Sequence, residues 1–542
     1  MIRTDMLSAA KDLVKIPSVN GTEGERKVSE FLEHCLRAFP YFRSHPDQII
    51  IQELKDDPLH RRNVLAWVKG NGSRTIILHG HMDTVGTGDY GPLEKYAFDP
   101  DALAEHMNDV SLRKEVKEDL SSGDYMFGRG ACDMKSGDAV ILGILKDASE
   151  HPEDLDGNLL VSFNPVEENL HSGILNAVPL LLKLKEEQGF DYILAINQDY
   201  ICPLYDGDRV KTIYTGAAGK LLPCFYIRGK VTHVGQCFEG LDASLLASEL
   251  VRGIHLNTAL SDVYNGEVTM PPSVLKCRDL KSWYNVQTAQ EAFVYFNYFV
   301  HDASIEELTS RLKLAAEEAF CRALERNVQE SSRYTYQSHM QVKTFECEPK
   351  VVTYGELLDE AERSDAYNAE KAASIIQEQQ KKGTDAREIP IALIRYLLAC
   401  TGRSEPVMVL YYAPPYCPHN TVKDEKLLDE IHAIAEGVEQ KTGETYRMMQ
   451  FFPSLSDSSY LKLDDTDASI QYLRKNFPGW EILYPLPLQQ MRALNIPAIN
   501  YGCYGKDAHQ WTERVNIPYT FGVLPVLIQD TIDFYLKGGS RQ

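Results

Sequence analysis

Short apolar runs alternate with helical periodicity over the first part of the chain. Amphipathic spacing at 5–16 and 23–37 predicts two helices around the turn Pro17-Ser-Val-Asn-Gly21. From about 48 to 215 the runs VLAWVKG, TIILHGHMD, LLVSFNP and YILAINQD read as strands, with helical patterns beginning near 136 and 172. Such alternation predicts an α/β layer built on a mostly parallel or mixed sheet. The stretch 89–124 is polar, charged and irregular, and is expected to be an insertion over the sheet edge.

The texture changes near 216. A strand (KLLPCFYIRGK), a helix near 241–256, and strands at Val274–Arg278 and EAFVYFNYFV precede a strong helix. In that helix Ser304 and Glu307 have capping-box spacing, and Leu308, Leu312, Ala315 and Ala316 share one face. TYQSHMQVKTFE is expected to close the segment as a strand. This makes a smaller α+β unit of about 130 residues, large enough for its own domain. After about 350 the α/β pattern resumes, with a polar helical stretch at 354–381, the run PVMVLYYAPP, a helix near 423–441, and strands at MMQFFPSL and IPAINYG. The expected organisation is therefore 1–215 and 350–542 as two parts of a catalytic domain, interrupted by 216–349.

A chain of 542 residues exceeds one ordinary core. Its 44% hydrophobic and 25% charged content is that of a globular protein. The net charge of -22 argues against nucleic acid and against an anionic membrane surface as partners. Eleven cysteines form no CxxC, no apolar leader opens the sequence, and no run reaches the ~20 residues that span a bilayer. A cytoplasmic protein with reduced thiols is expected.

Chemistry enters at the ends of the apolar runs. His81 and Asp83 lie in TIILHGHMDTV, Asp133 in FGRGACDMKSG, Glu167 and Glu168 in LLVSFNPVEENLHSG, Asp199 in YILAINQDY, and His509 in YGCYGKDAHQWTERV. Imidazole and carboxylate together suit a borderline divalent ion, zinc most commonly, so His81, Asp133, Glu168, Asp199 and His509 read as ligands of a two-metal hydrolase. Residues i and i+2 of a strand share a face, so Asp83 is expected to orient His81. His79 has the same parity, but His81 is preferred beside Gly80 and Asp83. Asp133 taken alone reads better as a helix N-cap. In the Glu167–Glu168 pair one acid can bind metal while the other serves as general base. AHQWTE could open a helix that keeps Glu513 near His509. Cys417 and His419 form a further, weaker constellation. GxSxG, P-loop and Rossmann fingerprints are absent from the sequence.

Together LVKIPSVNGTEGE, HMDTV, GRGACDMKSG, PVEEN, Asp199, THVGQCFEGLDAS and GKDAHQWTERV resemble, in order, the M20 family of metallopeptidases and their amidohydrolase relatives. PVEENLHSG and YNVQTAQEAFVYFNYF look closest to the RocB-type, arginine-utilisation branch. The resemblance implies a di-metal catalytic domain interrupted by a ferredoxin-like lid or dimerisation domain, and a homodimer. It implies one metal on His81, Asp133 and Asp199 and another on Asp133, Glu168 and His509, both zinc, with cobalt or manganese as alternatives. Glu167 becomes the general acid/base, Asp83 the residue orienting His81, His233 a catalytic histidine that reaches a partner's site, and Asn285 a substrate contact. Asp457, in SLSDSS, matches a segment near the site without a defined role. The strand EAFVYFNYFV lacks the family's Asp-x-Arg, which weakens a carboxypeptidase-like grip on a free carboxylate. The expected substrate is a small amino-acid-derived or peptide-like amide. An aminopeptidase or dipeptidase is the alternative enzyme, and a non-catalytic metal- or ligand-binding relative the alternative of another class.

Overall fold

The computed structural model describes residues 2–454 and 456–537. The chain forms two compact units, one of 1–218, 419–464 and 487–542, the other of 219–418 and 465–486.

The first unit is built on a mixed eight-stranded sheet. Its strands are β1 (Ile49–Glu53), β2 (Arg62–Lys69), β3 (Arg74–His81), β4 (Asn158–Asn164), β5 (Asp191–Asn197), β6 (Lys211–Tyr214), β7 (Tyr446–Met449) and β8 (Ala498–Asn500). Their spatial order is β1-β2-β4-β3-β5-β8-β6-β7. The β4–β3, β3–β5, β5–β8 and β6–β7 pairs are parallel, and β1–β2, β2–β4 and β8–β6 antiparallel. β4 is buried at every position and β3 at all but its first, the pattern of strands covered on both faces. The helix Ser136–Glu150 packs Val140, Ile141 and Ile144 onto that sheet with Met6, Ala10 and Leu13 of Thr4–Val14.

The insertion 89–124 is more ordered than its polarity suggests. Short helices at Pro100–His106 and Lys114–Ser122 bury Leu103, Met107, Leu112 and Val116 with Tyr90, Leu93 and Phe127 in a small core of their own.

In the second unit Ser273–Asp279, Glu291–Val300, Pro223–Arg228, Val407–Tyr412 and Val351–Thr353 form a sheet in that order, with Gly219–Leu221 also paired to Glu291–Val300. Two expectations are corrected here. TYQSHMQVKTFE is not a strand: the helix Ile305–Ser338 runs through its first four residues, His339 turns left-handed at φ 57°, and regular structure resumes only at Val351. Residues 350–418 and 465–486, expected with the catalytic domain, belong to this unit, where PVMVLYYAPP pairs with Pro223–Arg228 and not with the first sheet. The polar stretch 354–381 is two helices, Tyr354–Ala361 and Ala369–Lys381, which share a core with Ile389–Cys400. Ser304 caps its helix as expected, accepting from Glu307 N–H at 3.2 Å. Among the described residues no helix is long and apolar enough to cross a membrane.

Candidate metal centre

Because β3, β4 and β5 are parallel neighbours, the residues at and just after their C-terminal ends share one sheet edge, where open α/β sheets bind ligands. His81 ends β3, Glu167 and Glu168 follow β4, and Asp199 follows β5. The remaining acid and imidazole, Asp133 and His509, arrive beside a small three-stranded sheet. Tyr125–Phe127 leads into the turn carrying Asp133, and Gly505–Lys506 and Arg514–Asn516 flank the turn carrying His509. Residues 507–513 form that turn and not the expected helix start. Gly130 is required where it stands, with φ 78° and an added Cβ 2.7 Å from Thr84 Cγ2.

One carboxylate lies between two imidazoles. Asp133 Oδ1 is 2.9 Å from His81 Nε2, and Asp133 Oδ2 is 3.0 Å from His509 Nε2. His509 Nε2 is also 2.8 Å from Glu168 Oε1. Among the described residues three groups have ligand atoms within 4.8 Å of one another: His81, Asp133 and Asp199; Asp133, Glu168 and His509; and His81, Glu167 and Glu168. All are buried except Glu168, which is partly exposed, and His509, which is half-exposed. Cys417 and His419, both buried, belong to none of these groups.

The donor set fits divalent cations. Burial, reinforced by Asp133, pushes the Asp199 carboxyl up to about 8, and burial pushes Glu167 well above the ordinary range. Acids crowded this way ionise together only beside compensating positive charge. Burial also pushes Asp133 up, but hydrogen bonds from His509 and His81 outweigh it and hold that carboxyl low. For His509 the downward push of burial loses to Asp133 and Glu168, which raise it to about 11.

Asp83 lies beyond the end of β3, and strand parity does not govern its side chain. Its backbone oxygen is 3.1 Å from His81 Nδ1, while its nearer carboxylate oxygen is 3.7 Å away. The carboxylate accepts from Glu167 N–H (3.0 Å), Glu168 N–H (3.1 Å) and Asn20 Nδ2 (3.0 Å). Asp83 thus ties the β3 end to the turn bearing both glutamates. His79 faces Ser458 Oγ at 3.0 Å, and burial pushes it down to about 3, so it is a neutral core residue. His233 and Asn285 lie in the second unit, both exposed, on segments joined by a His233–Gln287 bridge.

The structure adds residues that motif spacing left unassigned. Glu513 accepts from Cys132 N–H (3.0 Å), Asp133 N–H (3.2 Å) and Arg129 Nη1 (2.7 Å), coupling the Asp133 and His509 turns. His171 and Asp457 pair at 3.0 Å behind Glu167. The four-residue spacing from His509 to Glu513 was the available signal for the first; nothing local signals the second.

The chain is similar to several known proteins. The chain is 41% identical over 540 residues to Protein RocB of Bacillus subtilis, covering 98% of this chain and 94% of that protein. It is 33% identical to the uncharacterized protein YqjN of the same organism, covering 99% and 97%. The fold matches the Saccharomyces cerevisiae di-peptidase Dug1p (TM-score 0.53, 12% identity, 98% and 96% covered) and a Staphylococcus aureus tripeptidase (TM-score 0.51, 15% identity, 99% of each). The sequence profile of Peptidase family M20/M25/M40 matches residues 77–470. On that match, and on its likeness to RocB along nearly its whole length, the chain is a hydrolase and belongs to peptidase family M20/M25/M40.

Proposed function

We propose that the protein hydrolyses an amide or peptide bond in a small amino-acid-derived substrate at the Asp133 centre. The observation that carries this reading is the single carboxylate of Asp133 set between His81 and His509, with Asp199 and Glu168 each completing one side. Two divalent cations, zinc first among them, would be held by His81, Asp133 and Asp199 and by Asp133, Glu168 and His509, and would supply Lewis acidity and a water of lowered pKa. Glu167 is left to move protons. Its buried carboxylate takes one from the attacking water and returns it to the leaving nitrogen. His233 Nδ1 accepts from Gly235 N–H at 3.1 Å, which leaves Nε2–H as the donor for a developing oxyanion. For the second unit we infer self-association through the surface around His233, where Trp283, Tyr284 and Val286 are exposed.

The test is hydrolysis of a panel of dipeptides, N-acyl amino acids and arginine derivatives by zinc-reconstituted protein, with Glu167→Ala alongside. The arginine derivatives are included because the motif wording resembles the arginine-utilisation branch. Turnover lost in a variant that still holds two metals per chain is the expected result. Equal turnover in wild type and variant would refute the role of Glu167.

A further inference from the structure

Glu167 has a second set of neighbours besides the clustered ligands, and none of them has a role above. The turn after β4 closes on itself: His171 N–H donates to Val166 O at 2.8 Å, and both residues are left-handed, at φ 55° and 70°. This places the fully buried His171 imidazole over Glu167, with Nδ1 3.9 Å from Glu167 Oε1 and 3.0 Å from Asp457 Oδ1. Tyr460 packs against the ring, with centroids 5.2 Å apart. The segment presenting Asp457 is itself pinned to the sheet. Ser456 Oγ accepts from Asn197 Nδ2 at 3.0 Å, Ser458 Oγ meets His79 Nε2 at 3.0 Å, and Ser458 O accepts from Asn420 Nδ2 at 2.8 Å. Three buried residues, Asn197, His79 and Asn420, are thus spent on holding one buried carboxylate against one buried imidazole.

We propose that His171 and Asp457 are positioning residues for Glu167. Asp457 accepts Nδ1–H and so fixes the imidazole, and the ring, with Nδ1 3.9 Å from Glu167 Oε1, packs against that carboxylate and keeps it in the orientation from which it takes the proton of water. His171 gains and loses no proton over the cycle: the proton goes from water to Glu167 and from Glu167 to the leaving nitrogen. This inference rests on Glu167 as the base, and it adds a support that acts on the base and not on the metal ligands.

The experiment uses the full chain with two zinc ions bound and the substrate found in the panel. His171→Ala is expected to lower kcat about 10- to 100-fold, the effect of misplacing a reacting group by about 1 Å, with KM within about twofold. Bound metal should be unchanged. His171→Asn, whose amide can donate in place of Nδ1–H, should recover most of the loss, and Asp457→Asn should fall between. Added to Glu167→Ala, His171→Ala should cost nothing further, because its effect passes through the base. A crystal structure of zinc-loaded His171→Asn should keep the Glu167 carboxylate in place, whereas His171→Ala should leave it turned. An inactive Glu167→Ala beside a His171→Ala of normal kcat would overturn the proposal, as would an unmoved Glu167 carboxylate in His171→Ala. Loss of metal in parallel with kcat would also overturn it. A fully active Glu167→Ala would instead sink the underlying reading.

Discussion

Glu513 offers the sharpest test of how the centre is held. Its carboxylate is wholly buried, ion-paired with an Arg129 that is itself 1% exposed, and it receives the N–H groups of Cys132 and Asp133. Deleting one partner of a buried pair costs about 3–5 kcal/mol, and each stranded N–H adds about 1–3 unless water reaches it. Arg129 keeps Asp89 Oδ1 at 2.9 Å and Gly86 O at 3.1 Å, which favours the lower end. A net loss of about 5 kcal/mol is expected for Glu513→Ala, a large share of the ~5–15 that stabilises a domain. In a scanning fluorimetry experiment this corresponds to roughly 6–12 °C in Tm. Because both freed N–H groups belong to the Asp133 turn, zinc affinity by chelator competition should fall about 10- to 100-fold as well. Asp89→Ala removes a partner that is 38% exposed on the same guanidinium and should cost no more than about 1 kcal/mol. A Glu513→Ala protein with a Tm within about 2 °C of wild type and undiminished zinc affinity would refute the coupling of the two turns.

Three further outcomes follow from the same structure. Burial, and then Asp83, raise the Glu25 carboxyl to about 7 despite Arg61, while the unfolded glutamate titrates near its ordinary ~4.5. Between those values the folded state binds more protons, so stability falls as pH rises from about 4.5 to 7, by at most ~3 kcal/mol; Glu25→Gln should flatten that part of a Tm–pH curve, and an unchanged slope would count against it. At Gly80 an added Cβ would stand 2.4 Å from Met134 Cε and 2.7 Å from Asp138 Oδ1, so Gly80→Ala should lose about 1–3 kcal/mol in urea titration. Stripping metal with a chelator should lower Tm, and zinc at a thousandfold above its Kd should restore about 4 kcal/mol; a Tm indifferent to both treatments would argue against a metal held by these residues.

Much of the first sheet is legible in the sequence because β3, β4 and β5 are short, apolar and end in polar residues. The sheet to which a strand belongs is not local information: PVMVLYYAPP reads as a strand anywhere, and only its pairing with Pro223–Arg228 assigns it to the second unit. TYQSHMQ alternates like a strand, yet nothing before His339 stops the preceding helix, and helix propagation wins over a seven-residue alternation. The insertion looked irregular because its charges outnumber apolar residues that nonetheless meet at helical spacing. At the site the residue types at strand ends are readable, but the partners of the Asp83 carboxylate, Asn20 and the N–H groups of Glu167 and Glu168, are not. Asp457 lies 286 positions from His171, and no local pattern could join them.

The order of strands across the first sheet sets a timetable for its assembly. β8, spanning 498–500, lies between β5 and β6, so two edges made within the first 214 residues stay unpaired until nearly the whole chain has been synthesised. The nascent protein must carry those open edges past the second unit and past β7 before they close. Closure through such sequence-distant pairing is intrinsically slow and exposes strands to aggregation. Asp133 waits still longer for His509. A chain ending short of residue 498 would therefore present two exposed sheet edges and lack His509 of the candidate metal centre, the kind of open species that chaperones and proteases act on.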